Sequence, residues 1–393
     1  MRRLGAVLMV TVLAAACSSS DDGDASPSED AATTTEASTT TVVPVEEIVY
    51  PGDEWERADA AEMGFDPAAL DAVAATAEEL ESTCFLVTRK GRIVGEWYWE
   101  GDDAATPHEV YSVTKSFTST LVGMAQADGD LDIEDSASDY IGEWTGTDAE
   151  AVTIRNLLSM DSGREWNLGL DYIQLPQAAD RSQFAIDLGQ QFPPGEAWSY
   201  NNAGVQTLDR VISTATGEVT ADYAAERLFG PLGMDDTSMS SDPSGNSTNT
   251  FFGIQSTCED LARFGYLFLR EGAWEGEQVV PAEWVTEATG APSQEHNAAY
   301  GYLWWLNTEG RLLSPLQAVT PTEEPEEVVG QIAPGAPEDM YTAQGLGGQI
   351  VMVDPGSETV VVRLGGGGSP GDPTSGFRAQ EAARVLTEAL VDE

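Results

Sequence analysis

A serine and a lysine three residues apart, Ser112 and Lys115, stand in the stretch Tyr111-Ser112-Val113-Thr114-Lys115-Ser116-Phe117-Thr118-Ser119. On a helix that spacing puts both side chains on one face, about one turn apart, so a hydroxyl meets an amine. A serine attacks a carbonyl poorly until a neighbour takes its proton, and a lysine takes it only when its pKa falls from about 10.4 towards neutrality. Val113, Phe117, Leu121 and Val122 give the segment an apolar packed side that would desolvate the amine. Lys90 and Lys115 are the only two lysines in the chain, so this one does not belong to a lysine-rich surface. The implied chemistry is acyl transfer to a serine activated by a lysine.

A second cluster is Trp198-Ser199-Tyr200-Asn201-Asn202. Alternate residues of an extended segment share a face, so Tyr200 and Asn202 point the same way. Tyr200 is a candidate to relay a proton between nucleophile and leaving group, and Asn202 to hold Lys115 or to donate to a substrate carbonyl. The third cluster runs Tyr341-Thr342-Ala343-Gln344-Gly345-Leu346-Gly347-Gly348-Gln349. Its glycines let another backbone or a ligand come close. Such a strand edge can offer an amide N–H to a developing oxyanion, with the Ser112 N–H as second donor, although a glycine-rich start to a tight hairpin explains the same residues.

Other features carry less. Trp166, Tyr172 and Trp198 are candidate pocket walls, though large aromatics more often fill cores. Gly367-Gly368-Ser369-Pro370-Gly371 matches a nucleophile elbow in form, but Pro370 has no N–H to stabilise an oxyanion and no histidine follows. His108, four residues before Ser112, reads as a surface or capping residue.

Taken in order and at these separations, Ser112-x-x-Lys115, Tyr200-x-Asn202 and the glycine-rich strand resemble the penicillin-recognising serine hydrolases of the class C β-lactamase superfamily. The resemblance extends from about Asp53 to the C-terminus and includes Met160-Asp161-Ser162-Gly163, Pro231-Leu232-Gly233-Met234 and Tyr300-Gly301-Tyr302-Leu303-Trp304-Trp305. The segment Ala343 to Gln349 is more similar to the 6-aminohexanoate-dimer hydrolase and esterase branch. β-Lactamases and DD-peptidases carry Lys or His, then Thr, then Gly there, and this chain has Ala343 in place of the cation. A cation at that point helps bind a substrate carboxylate. The resemblance therefore implies hydrolysis of an ester or small amide. Ser112 would form the acyl-enzyme, Lys115 and Tyr200 share the proton work, and Asn202 orients. Gly345 and Leu346 would border the substrate, with the Ser112 and Leu346 N–H groups as the oxyanion hole. No cofactor is implied. A peptidoglycan DD-peptidase or β-lactamase using another cation, and a binding lipoprotein without catalysis, are the alternatives.

Strands at both ends of the chain must position these groups. Asp66 caps a helix that Pro67 opens and that runs to about Leu80. Cys84–Thr88 and Ile93–Trp99 read as a β-hairpin about Lys90-Gly91. Gln349–Val353 and Thr359–Leu364 form a second, followed by an amphipathic helix from about Arg378 to Val391. Between them, Thr153–Met160, Asn202–Thr216, Thr220–Leu228 and Cys258–Arg270 read as helices, and Pro321–Pro337 as a loop with a solvated glutamate run. The expectation is an α+β fold: one antiparallel sheet built from both chain ends, flanked by terminal helices, with a mainly helical insertion and the catalytic helix at the junction.

Composition sets the outer bounds. The 393 residues hold 67 Asp plus Glu against 18 Lys plus Arg, a formal charge of -49 that repels phosphate backbones and argues against nucleic acid as a partner. Arg2 and Arg3, the apolar run Leu4–Ala16 and Ala14-Ala15-Ala16-Cys17 resemble a bacterial lipoprotein signal over 1–16, cleaved before Cys17 and lipidated on its sulfur. The chain would then be extracytoplasmic and anchored to the bacterial cell membrane by lipid alone. A plain secretory signal is the alternative. Residues 17–47, rich in Ser, Thr, Ala and acids, read as a disordered tether to a hydrolase domain over 48–393. After export Cys84 and Cys258 are left either to pair or to remain as two buried thiols. Two histidines and no ligand spacing argue against a zinc site.

Overall fold

The computed structural model describes residues 48–367 and 376–391. The signal, Cys17 and tether expected over 1–47, and the Ser369 loop, lie outside the described residues.

Helix α1 (Pro67–Glu79) begins where the Asp66 carboxylate accepts from the Ala68 and Ala69 N–H groups, with proline at the first helical position as its missing N–H allows. The hairpin follows as β1 (Ser82–Arg89) and β2 (Arg92–Tyr98). The Ser112–Lys115 segment leads into α2 (Thr114–Asp128), and α3 (Asn202–Gln206), α4 (Leu208–Thr216) and α5 (Cys258–Leu269) belong to the helical insertion. The chain then returns as β3 (Trp305–Leu306), β4 (Tyr341–Gly345), β5 (Gln349–Asp354) and β6 (Thr359–Gly365), before α6 (Ala379–Arg384). The six strands form one antiparallel sheet in the order β2-β1-β6-β5-β4-β3.

Both faces of this sheet are covered, which is why β5 and β6 read as nearly continuous apolar runs. Phe85, Val87, Ile350, Met352 and Val361 pack with α1 and the C-terminal helix, in a core that includes Val73, Ala77, Ala382 and Leu386. Leu86, Val351, Val353, Val360 and Val362 face the insertion and join Phe117, Phe264 and Phe268. Helix α5 lies tight against the strands at Gly265, where an added Cβ would come within 2.6 Å of Val360. A Cys84–Cys258 disulfide ties β1 to the first turn of α5 across a sequence separation of 174, so the two cysteines pair.

The architecture is the expected one, and the departures are local. Asn202–Thr216 is two helices, because the Thr207 hydroxyl bonds back to the Gly204 carbonyl at 2.6 Å and breaks the ladder. Thr220–Leu228 and the C-terminal helix each loosen in their second half into a wider π turn, at Ala225–Phe229 and Val385–Ala389. The helix expected over Thr153–Met160 is confined to Ile154–Leu158. The Pro321–Pro337 segment contains a short strand, Val328–Gly330, paired with Gly310–Leu312, and its four glutamates are exposed.

Candidate active site

Ser112 does not open the α-helix as its spacing suggested. It lies on a 3₁₀ turn, Tyr111–Val113, and α2 begins at Thr114. The i to i+3 relation survives because a 3₁₀ turn has about three residues per turn. Lys115 Nζ stands 2.8 Å from Ser112 Oγ and donates to the Phe251 carbonyl at 2.9 Å. Helix α2 is buried on every side from Thr114 to Ala125, not on one apolar face. Two of its hydroxyls are satisfied by backbone carbonyls of the surrounding loops, Thr118 on Thr250 and Ser116 on Leu303.

The Ser112 turn is strained and braced. Tyr111 has φ of 49°, a conformation that costs a side-chain-bearing residue about 1–3 kcal/mol. The Glu109 carboxylate holds it by accepting from the Tyr111 N–H at 3.0 Å and from the Gly253 N–H at 2.8 Å. One side chain thus fixes both the Ser112 turn and the loop that carries the Phe251 carbonyl.

Lys115 is 1% exposed, and burial drags its pKa down to about 7, against a weaker upward pull from the Asp171 charge. Its amine lies 4.7 Å from the centroid of the Tyr200 ring. Tyr200 is also buried; its hydroxyl is hydrogen-bonded with Ser112 and Tyr300, and burial drives its pKa up, so it stays a protonated donor. Trp305 stacks on its ring and Tyr300 meets it edge-on.

Asn202 is in place but turned differently from either sequence expectation. The hydrogen bonds of Lys115 go to Ser112 and Phe251, not to Asn202. The Asn202 NH₂ group donates to Asp171 Oδ2 at 2.8 Å, so one of its hydrogens is committed to that carboxylate. Asp171 also accepts from the backbone N–H of Asn202 at 3.1 Å and of Ala203 at 2.9 Å.

The glycine-rich strand reaches the Ser112 turn through Gly345. A Cβ there would lie 2.2 Å from the Val110 carbonyl, two residues before Ser112, so only glycine permits this approach. Leu346 follows in the turn and is 55% exposed. That turn is held from below: the Gln349 amide donates to the Leu346 carbonyl at 3.1 Å and Arg363 to the Gly347 carbonyl at 2.6 Å.

Of the aromatic wall candidates, Trp198 is fully buried core, edge-on to Tyr300, and is withdrawn from the site. Trp166 is half-buried, donating to the Tyr200 carbonyl, and Tyr172 is exposed, its hydroxyl on the Pro315 carbonyl at 3.0 Å. His108 pairs with Asp102 at 2.5 Å, in a strand beside Ser256. Asp171, Glu109 and the Phe251 carbonyl were not foreseen.

A profile of the family described as Beta-lactamase matches residues 70–383. The 6-aminohexanoate-dimer hydrolase of Paenarthrobacter ureafaciens is 24% identical over 320 residues, which span 73% of this chain and 74% of that protein. A D-aminopeptidase of Cereibacter sphaeroides is 27% identical over 172 residues, 40% of this chain and 32% of that one. Among solved structures, a class C beta-lactamase in complex with cefoxitin superposes with a TM-score of 0.58 at 16% identity, covering 84% of this chain and 99% of that one, a likeness of fold.

Proposed function

The chain belongs to the beta-lactamase family of hydrolases, and from that premise we propose that it cleaves uncharged esters or small amides through an acyl-enzyme on Ser112. The observation that carries this reading is the 2.8 Å approach of a buried, readily deprotonated amine to the Ser112 hydroxyl.

In acylation, Ser112 Oγ bonds to the substrate carbonyl carbon while its proton passes to neutral Lys115. Tyr200, kept protonated by burial, hands a proton to the departing alcohol or amine and is resupplied through Lys115. Deacylation repeats the steps with water. The N–H groups of Ser112 and Leu346 serve as the oxyanion hole, on the segments that Gly345 brings together. Ala343 is fully buried and apolar where a carboxylate-binding cation would stand, and among the described residues no arginine bonds to Ser112, Tyr200 or Asn202. Substrates without a carboxylate at that point therefore fit best, and the likeness to a 6-aminohexanoate-dimer hydrolase supports cleavage of a small amide.

Hydrolysis of p-nitrophenyl esters tests the reading. Ser112→Ala should abolish it. Because Lys115 must be neutral to act, kcat/KM should rise with pH through a midpoint of about 7. No falling limb should follow below about pH 10, because burial holds Tyr200 above the ordinary tyrosine range. Activity that survives Ser112→Ala, or falls as pH rises through 7, would refute it. Labelling of Ser112 by a fluorescent penicillin, with no ester turnover, would shift the assignment to a penicillin-binding peptidase.

A further inference from the structure

Asp171 is a buried carboxylate that the acyl-transfer steps above do not use. It is 1% exposed, and among the described residues no cation forms an ion pair with it. Its two oxygens are filled by amides alone: Oδ2 accepts from the Asn202 N–H and NH₂, and Oδ1 from the Ala203 N–H. Burial pushes the Asp171 pKa up to about 6, and the three N–H donors and Lys115 pull against it, so the group is ionised for the most part where Lys115 turns neutral. These donors are the side chain of Asn202 and the first backbone N–H groups of α3, while Asn201 caps the Gly204 N–H. The charge is thus fixed on the element that carries the Tyr200–Asn202 loop.

The charge acts on Lys115, whose amine stands 4.7 Å from the centroid of the Tyr200 ring, two residues along the chain from the Asn202 that Asp171 holds. The titratable groups around the two are Tyr172, whose hydroxyl donates to the Pro315 carbonyl, and Tyr200 with Tyr300 behind it, the last two held neutral by burial. Ser112, Phe251 and Asn202 complete the surroundings. Among the described residues, Asp171 is the negative charge that raises the pKa of the amine, and Lys115 a positive charge that lowers that of the carboxylate.

Resting on the acyl-enzyme reading, we infer that Asp171 is a positioning residue with two effects: it orients the Asn202 carboxamide and it stabilises the ammonium that Lys115 becomes when Ser112 attacks. The second effect arises from charge bookkeeping. Before attack the pair is a carboxylate and a neutral amine. As Oγ bonds to the carbonyl carbon, the carbonyl π pair moves to oxygen and the serine proton to Nζ, so attraction to Asp171 switches on in the transition state. The same attraction strengthens the base and delays its deprotonation to higher pH. Losing it should therefore lower the rate plateau and move the pH limb acidward together, a combination that loosened packing does not produce.

The test is the pH profile of ester hydrolysis by Asp171→Asn, which keeps the shape and removes the charge. The rising limb of kcat/KM should move acidward by about one pH unit and plateau kcat should fall about tenfold. A folded variant whose limb stays where the wild-type limb lies would overturn the inference. Thermal melting of Lys115→Met, Asp171→Asn and the double variant gives an independent reading. The change in melting temperature on Asp171→Asn should be more unfavourable when residue 115 is lysine than when it is methionine. Equal losses in both backgrounds, or a double variant that fails to fold when Lys115→Met folds, would also overturn it. The melting cycle does not depend on turnover: activity retained in Ser112→Ala refutes the acyl-enzyme, whereas additive melting shifts refute the coupling.

Discussion

Lys115→Met is expected to lower kcat on a p-nitrophenyl ester by about a thousandfold or more, while making the protein melt higher at pH 7. Methionine keeps the length and apolar stem but cannot accept the Ser112 proton, and a positioned base is worth about 10²–10⁴ in rate. The stability gain follows from linkage. A lysine whose pKa falls to about 7 in the folded chain resists protonation there, whereas in the unfolded chain it protonates below about 10.4. The penalty is fully present at pH 7 and below, and fades as pH rises towards the unfolded pKa. The melting advantage of Lys115→Met should therefore be greatest near neutrality and shrink by pH 10. A variant that melts lower at pH 7, or that keeps a tenth of wild-type kcat, would show that the amine is neither buried at a cost nor used as the base.

Gly345→Ala should cost about 10²–10³ in kcat, the scale of a lost oxyanion donor, although it adds a single methyl group. That methyl would sit 2.2 Å from the Val110 carbonyl, a backbone atom with no rotamer to yield. Relief requires β4 to withdraw from the Ser112 turn, carrying the Leu346 N–H away from the reacting oxygen. Some stability is lost too, so kcat must be measured on protein shown by melting to be folded. The loss should fall on kcat and leave Km little changed, because the oxyanion forms after binding. Full activity in a folded Gly345→Ala protein would mean that this strand contributes no donor.

Much of this was legible beforehand, for physical reasons that differ by residue. The terminal hairpins show in the runs about Lys90-Gly91 and Asp354-Pro355-Gly356, because turn chemistry is local. Ser112 and Lys115 stand out through spacing and through the scarcity of lysine. Asp171 does not stand out: it is one acid among 67, and only the fold buries it beneath Asn202. The Phe251 carbonyl that holds Lys115 is backbone, which no residue type announces. Trp198 and Tyr200 sit two apart on one short segment, yet one fills the core and the other faces the nucleophile, a division set by what packs against them. Glu109 reads as a surface acid until the positive φ of Tyr111 shows why an acceptor is needed there.

The direct test of a lysine-activated Ser112 is covalent trapping. Wild-type protein and Lys115→Met would be incubated with a fluorophosphonate, digested, and the modified peptide identified by mass spectrometry across a pH series. One adduct per chain is expected, on Ser112, at a rate that climbs through a midpoint of about 7 in the wild type and is nearly absent without the amine. An adduct on another side chain, or equal labelling of the two proteins, would contradict it.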